Sequence, residues 1–188
     1  GVEKNKETAE KYYKLSAEHG EGIEMNKKEA IRYYKMAIAN GNSSAMYSYA
    51  YMLQHGEGVE MNKKEAIRLY KKAIGKENSS AMNSYAYMLE HGEGVEMNKK
   101  EAIRYYKMAI EKGNTNSMYH YACILENEND GSESTKEKSA LYFKMAADGD
   151  HLKAMRKYAD MLDKGEGVPI NKKEAARYLK MVSDKESQ

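Results

Sequence analysis

The sequence predicts an all-helical array of tandem repeats, on three observations. A phrase recurs at fixed spacing: residues 51–68 read YMLQHGEGVEMNKKEAIR, and residues 87–104 repeat them 36 positions on with one change in eighteen. Residues 24–38 and 96–110 are the same fifteen letters, EMNKKEAIRYYKMAI. Apolar residues inside each unit fall at helical spacing, and Gly and Asn stand where one helix must stop and the next begin. A period of this size marks a repeat array. Each unit is too small to bury its own apolar face, so neighbours stack to make a continuous core.

Residues 42–77 serve as the reference unit. Over Ser43–Gln54, Ala45, Tyr49, Ala50 and Leu53 lie at offsets 0, 4, 5 and 8, which is one face of a helix. The small Ala45 and Ala50 allow another helix to approach closely. His55-Gly56-Glu57-Gly58 ends this first helix, because Gly tolerates the left-handed geometry of a C-cap. Asn62 is the expected N-cap of the second helix, with Glu65 at the capping-box position and Met61 and Ala66 as a hydrophobic staple. Ala66, Ile67, Tyr70, Ala73 and Ile74 form its buried stripe. Gly75 and the polar stretch 76–80 lead into the next unit.

On this pattern the chain is one array, residues 1–188, of about four and a half to five units: 5–41, 42–77, 78–113, 114–149 and 150–186. The fourth is divergent. The fifth restores the pattern with Gly165, Gly167, Asn171 and Glu174, and its Pro169 sits before the N-cap, where proline does little harm. Residues 5–14, NKETAEKYYK, resemble a second helix but stand where a first helix belongs. They are expected to act as a first helix and cap the array.

Composition narrows the function classes. Charged residues are 32% of the 188, yet the net charge is only +2. Near balance argues against a nucleic-acid binder, which needs a basic face or stripe. No apolar run approaches the roughly 20 residues of a membrane span. One cysteine permits no intrachain disulfide, which fits a reducing compartment. The start at Gly1-Val2, without Met, reads as an excised piece or the remnant of a tag.

The unit A-x-x-x-Y-A-x-x-L-x-x-G-x-G-V-x-x-N-x-x-E-A-x-x-Y-Y-x-x-A resembles the Sel1-like repeat, a relative of the tetratricopeptide repeat. Ala45, Tyr49, Ala50, Leu53, Gly56, Gly58, Val59, Asn62, Ala66, Tyr70 and Ala73 carry the likeness, and it recurs 36 residues on. Ala50, Leu53 and Tyr33 or Leu69 replace the Gly, Tyr and Trp common in that motif; these are packing swaps. The resemblance implies an α/α superhelical solenoid of antiparallel helix pairs whose first helices line the concave side. It also implies an adaptor or scaffold role. Family members work in the cytoplasm and in the secretory lumen; the single cysteine favours the cytoplasm.

If Ala45, Tyr49, Ala50 and Leu53 face inward, Tyr47, Tyr51 and Gln54 face the groove. The next units place Asn83, Tyr87 and Glu90, then Tyr119 and Glu126, then Arg156 and Asp160 there. This surface suits an extended partner peptide or protein, because tyrosine combines rigid area with a polar tip. The bland alternative is that these tyrosines pack on neighbouring helices, since 17 tyrosines must mostly be structural. A second function class is a regulatory or spacer arm of a larger protein with an enzyme domain elsewhere. Weak self-association through the array ends is a further expectation.

Other motifs read blandly. His19, His55 and His91 recur in phase, but helices stacked about 8–10 Å apart cannot share a zinc with bonds of about 2 Å. The pairs Lys27-Lys28, Lys63-Lys64, Lys99-Lys100 and Lys172-Lys173 lie among glutamates and read as a mixed-charge rim. Residues 126–137, ENENDGSESTKE, place Glu126, Glu128, Asp130, Gly131 and Glu137 at calcium-loop positions 1, 3, 5, 6 and 12. Glu at position 1 spoils the tight turn, so the reading is an acidic loop with Ser134 and Glu137 capping the next helix. Cys123 stands alone, no catalytic set is visible, and no cofactor or metal is expected.

Overall fold

The structure, a computed structural model, describes residues 4–8, 10, 11, 23–127 and 132–187. Among these residues the chain is helical with no strand. The helices are α1 (Ile23–Ala39), α2 (Ser43–His55), α3 (Lys63–Ile74), α4 (Ser79–His91), α5 (Lys99–Glu111), α6 (Thr115–Asn127), α7 (Glu133–Asp148), α8 (Leu152–Lys164) and α9 (Lys172–Glu186). Residues 4–8, 10 and 11 are also helical. The expected capping role of residues 5–14 lies largely outside the described residues. The chain divides into two compact units, Gly1–Ala102 and Ile103–Gln188, with the division inside α5.

Side-chain oxygens start the helices, at the second helices as the sequence foretells and at the first helices on asparagines that the sequence reading does not single out. Asn42, Asn62 and Asn78 accept the backbone N–H three residues on at 2.7, 3.0 and 2.9 Å, and Asn98, Asn114 and Asn171 do so at 3.0, 2.9 and 3.0 Å. Each such cap stabilises by about 1 kcal/mol. The reciprocal arm of the capping box is absent. The Asn62 N–H donates to the Leu53 carbonyl at 2.7 Å, and the Glu65 carboxylate accepts from Arg68. The expected staple is slight too, because Met61 is 60% exposed. Ser132, not Ser134, caps α7, accepting the Thr135 N–H at 3.2 Å.

Gly56, Gly92 and Gly165 end α2, α4 and α8 in the left-handed region, as the G-x-G turn predicts. The second Gly of that turn has another task, because Gly58 and Gly94 receive the preceding second helix. A methyl on Gly94 would stand 2.8 Å from Cβ of Lys63, and one on Gly58 would stand 3.3 Å from Cδ of Lys27. In unit 2, Gly167 similarly abuts the backbone of Lys136. Lys27 and Lys63, each the first of its lysine pair, are thus packing residues whose stems lie on the next turn.

In unit 1, α1 packs on α2, α2 on α3, and α3 on α4. Ala45, Ala50, Ala66 and Ala73 are fully buried, which lets these helices approach closely. The second-helix stripe is Ala66, Leu69, Tyr70 and Ala73, whereas Ile67 and Ile74 are only half-buried. Tyr70 is 0% exposed and contributes on the order of 2–3 kcal/mol by burial. In unit 2, α6 packs on α7, α7 on α8, and α8 on α9 around Phe143, Met155, Tyr158 and Tyr178.

Candidate functional site

The expected partner-binding residues do not share one environment. In unit 1, Tyr51 is 39% exposed on α2, and its ring lies 4.3 Å from that of His55, one turn on. Tyr87 repeats the arrangement on α4, stacked on His91 at 4.1 Å and 24°. His91 Nδ1 lies 3.0 Å from the Tyr87 carbonyl oxygen and 3.9 Å from Glu90. His55 and His91 therefore hold tyrosine rings, while His19 lies outside the described residues. The Y-x-x-x-H spacing, i to i+4 on one helix face, was the signal that could have shown it. Asn83 and Glu90 are half-buried alongside.

Two other residues of the expected row belong to the packing between helices. Tyr47 meets Tyr51 at 6.4 Å and the buried Tyr70 of α3 at 6.1 Å. Burial raises its pKa, and a hydrogen bond from Ser84 of α4 partly offsets that. Gln54 is 4% exposed and does not face a groove. Its Oε1 accepts from the Tyr70 hydroxyl at 2.8 Å, and its Nε2 donates to Glu93 at 3.3 Å. Lys63 reaches the same carboxylate oxygen at 3.5 Å. This chain of contacts ties α2 and α3 to the turn after α4. It satisfies the buried amide and phenol, which would otherwise cost about 1–3 kcal/mol each. Burial drives the Tyr70 pKa upward, well beyond the ordinary value.

In unit 2, Tyr119 of α6 stacks on His151 at 4.5 Å and 19° and meets Phe143 edge-on at 5.8 Å. Burial, followed by its neighbour Cys123, pushes its pKa up to about 12. Glu126 accepts from Lys157 of α8 at 2.8 and 3.0 Å. Arg156 donates to both oxygens of Glu186 at 2.7 Å, and Asp160 accepts from Lys164 at 2.7 Å. Phe143 lacks the hydroxyl that Tyr70 uses, and here a cavity of about 170 Å³ opens beside Glu126, Lys136, Ser139 and Glu166. Of the calcium-loop positions, 128–131 lie outside the described residues. Among the described residues, no three His, Cys, Asp or Glu side chains gather as a metal-holding group. Nor is any helix among them long and apolar enough to cross a membrane.

Short capped helix pairs, glycines set against the preceding helix, and side-chain contacts that cross from one pair to the next define a helical-repeat scaffold of the α/α solenoid class. The chain belongs to the Sel1 repeat family: the family model matches residues 1–21, 18–42, 43–77, 79–114, 115–151 and 152–186, six repeats in all. Two of these matches cover the stretch that the periodicity reads as the single unit 5–41. A comparison with curated proteins finds no match. Among solved structures, a Sel1 repeat protein from Oxalobacter formigenes is similar, with 24% identity and a TM-score of 0.73 over 85% of this chain and 46% of that one. An immunity protein, Pa5087, from Pseudomonas aeruginosa has 18% identity and a TM-score of 0.65 over 93% of this chain and 64% of that one. The protective antigen c5321 of uropathogenic Escherichia coli has 18% identity and a TM-score of 0.52 over 98% of this chain and 49% of that one. The chain thus spans between 46% and 64% of the length of these relatives. Sel1 repeats generally act as protein–protein interaction scaffolds and are typically non-catalytic.

Proposed function

We propose that this chain is a non-catalytic module that binds an extended segment of a partner protein through the aromatic row of its first helices. The single observation behind this reading is the repeated tyrosine–histidine ring contact, tilted at Tyr51–His55 and stacked at Tyr87–His91. Tyr51 is exposed yet already ordered by His55, and Tyr87 by His91, in the same phase 36 residues on. A ring fixed before binding loses less conformational entropy on contact, and its hydroxyl still reaches outward. Asn83 and Glu90 supply amide and carboxylate partners for a peptide backbone. Tyr47 and Gln54 support the row from beneath. In unit 2, Tyr119, Glu126, Arg156 and Asp160 are the corresponding candidates. The last three are already ion-paired, so contact there would exchange pairs rather than add them.

Peptides selected from a random display library against the intact chain test this. Amide exchange of the complex is expected to slow in residues 43–55 and 79–91. Slowing confined to the second helices α3 and α5 would overturn the reading.

A further inference from the structure

The divergent repeat rewires a contact that an earlier repeat closes. In unit 1, Gln54 of α2, Lys63 of α3 and Glu93 after α4 meet. Gln54 Nε2 donates to Glu93 at 3.3 Å, and Lys63 reaches the same carboxylate at 3.5 Å. In unit 2 the places of these three are held by Glu126 of α6, Lys136 of α7 and Glu166 after α8, 72 or 73 positions on. A carboxylate has no N–H to give, so Glu126 cannot repeat the donation of Gln54, and two ionised carboxylates repel. Glu126 instead accepts from Lys157, which stands where unit 1 has Ser84, at 2.8 and 3.0 Å. Lys136 pairs with Glu133 of its own helix at 3.8 Å.

The cavity of about 170 Å³ opens among these rewired side chains. Among the described residues, Leu125 and Met161 form its apolar wall, and Glu126, Lys136, Ser139 and Glu166 its polar one. Ser139 and Met161 are buried whereas Glu166 is exposed, so the cavity runs from the surface inward. Ser139 stands where other second helices carry the buried Ala66, Ala102 and Ala175. Its hydroxyl donates to the Ala122 carbonyl at 3.0 Å, and its oxygen can still accept. Lys164 lies within electrostatic reach of Glu166 but gives its hydrogen bond to Asp160. The wall is therefore rich in acceptors, two carboxylates and a hydroxyl against one lysine.

We propose that this cavity binds a small organic cation, a primary amine or amidinium, whose N–H groups bond Glu126 and Glu166 and whose apolar part rests on Leu125 and Met161. Charge-assisted bonds to two carboxylates favour a cation over a neutral or anionic molecule of equal size. A cavity of about 150 Å³ admits benzene, so the ligand has about six to eight non-hydrogen atoms. So few atoms beside an exposed rim set a Kd on the order of 1 mM. Only Glu126 is shared with the partner-binding row, and neither Tyr51 nor Tyr87 takes part. Peptide binding and cation binding therefore stand or fall separately.

Titration of the intact, isotopically labelled chain with benzylamine, followed by amide chemical shifts, tests it. Saturating shifts centred on Glu126, Lys136, Ser139, Met161 and Glu166 are expected. Benzyl alcohol, of the same size without the charge, is expected to bind at least about tenfold more weakly, and benzoate not at all. Glu126→Gln and Glu166→Gln should each weaken benzylamine about fivefold. If Glu126→Gln loses helicity by circular dichroism, the exposed Glu166→Gln and the neutral analogue still decide the matter. No saturation below about 20 mM, equal binding of benzyl alcohol, or unchanged affinity in Glu166→Gln would each overturn the proposal. So would binding of the tripeptide Gly-Lys-Gly but not of benzylamine, which would assign the cavity to a lysine of a partner protein.

Discussion

A single methyl group tests the packing at the residue scale. Gly113, Gly94 and Gly167 all have φ near +70°, at 78°, 71° and 67°, so alanine carries similar backbone strain at each. The space differs: nothing stands near Gly113, Lys63 Cβ crowds Gly94, and the Lys136 backbone blocks Gly167. Urea unfolding should rank the losses as Gly113→Ala, at about 1 kcal/mol, then Gly94→Ala, then Gly167→Ala at several times the first value. Equal losses would mean the cross-repeat contacts are slack. The buried amide–phenol pair gives a second test. Tyr70→Phe strands the Gln54 acceptor and should cost about 1–3 kcal/mol, and adding Gln54→Leu should recover part of that loss. Strict additivity in the double-mutant cycle would contradict the coupling. Alkali probes the same burial. Tyr70, Tyr119 and Tyr178 have raised pKa values in the folded chain. Below their ordinary value of 10 both states are protonated. Above it the unfolded chain loses these protons first, so stability should fall as pH rises from about 10 towards 12. Gln54 itself was misplaced by sequence reasoning. Its partners Tyr70 and Glu93 lie 16 and 39 residues away, and only stacking of the next pair encloses it.

At the scale of the element, what is local was legible. Asn caps, glycine stops and the small residues of each stripe act within one or two turns, and they fall where the repeat motif puts them. What depends on a distant partner was not legible. The second arm of the capping box fails because the Asn62 N–H satisfies one of the last orphan carbonyls of α2, that of Leu53, instead. The start of α7 was placed two residues late, because Ser132 and Ser134 look equivalent until the helix is seen to begin at Glu133. One cap departs from the asparagines: His151 Nδ1 accepts the Ala154 N–H at 3.1 Å. Burial against Tyr119 lowers its pKa below the ordinary 6.5, and Lys153 adds to that. The unfolded chain therefore takes up the proton first. Stability contributed by this cap is complete above about pH 6.5 and declines as pH falls towards the folded-state value. Replacing His151 by Asn should flatten that part of a stability–pH profile while changing stability at pH 8 by less than about 1 kcal/mol. An unchanged profile would show that the ring does not act as the cap.

For the whole molecule, the fold followed from the 36-residue period, because repetition makes one local pattern decide every unit. The candidate surface was only half visible. Tyr51 is exposed on its helix, whereas Tyr87 and Tyr47, equivalent in sequence, are half-buried, and Tyr47 rests on Tyr70. Helical phase shows which side a residue is on; the next pair determines what covers it. The most direct test is titration calorimetry of a display-selected peptide with the intact chain and with the Tyr51→Ala, Tyr87→Ala double variant, helicity being checked on both. A loss of affinity of about tenfold to a hundredfold at unchanged helicity is the expected result. Equal affinity for the two proteins would contradict the assignment of the tyrosine–histidine row as the partner surface.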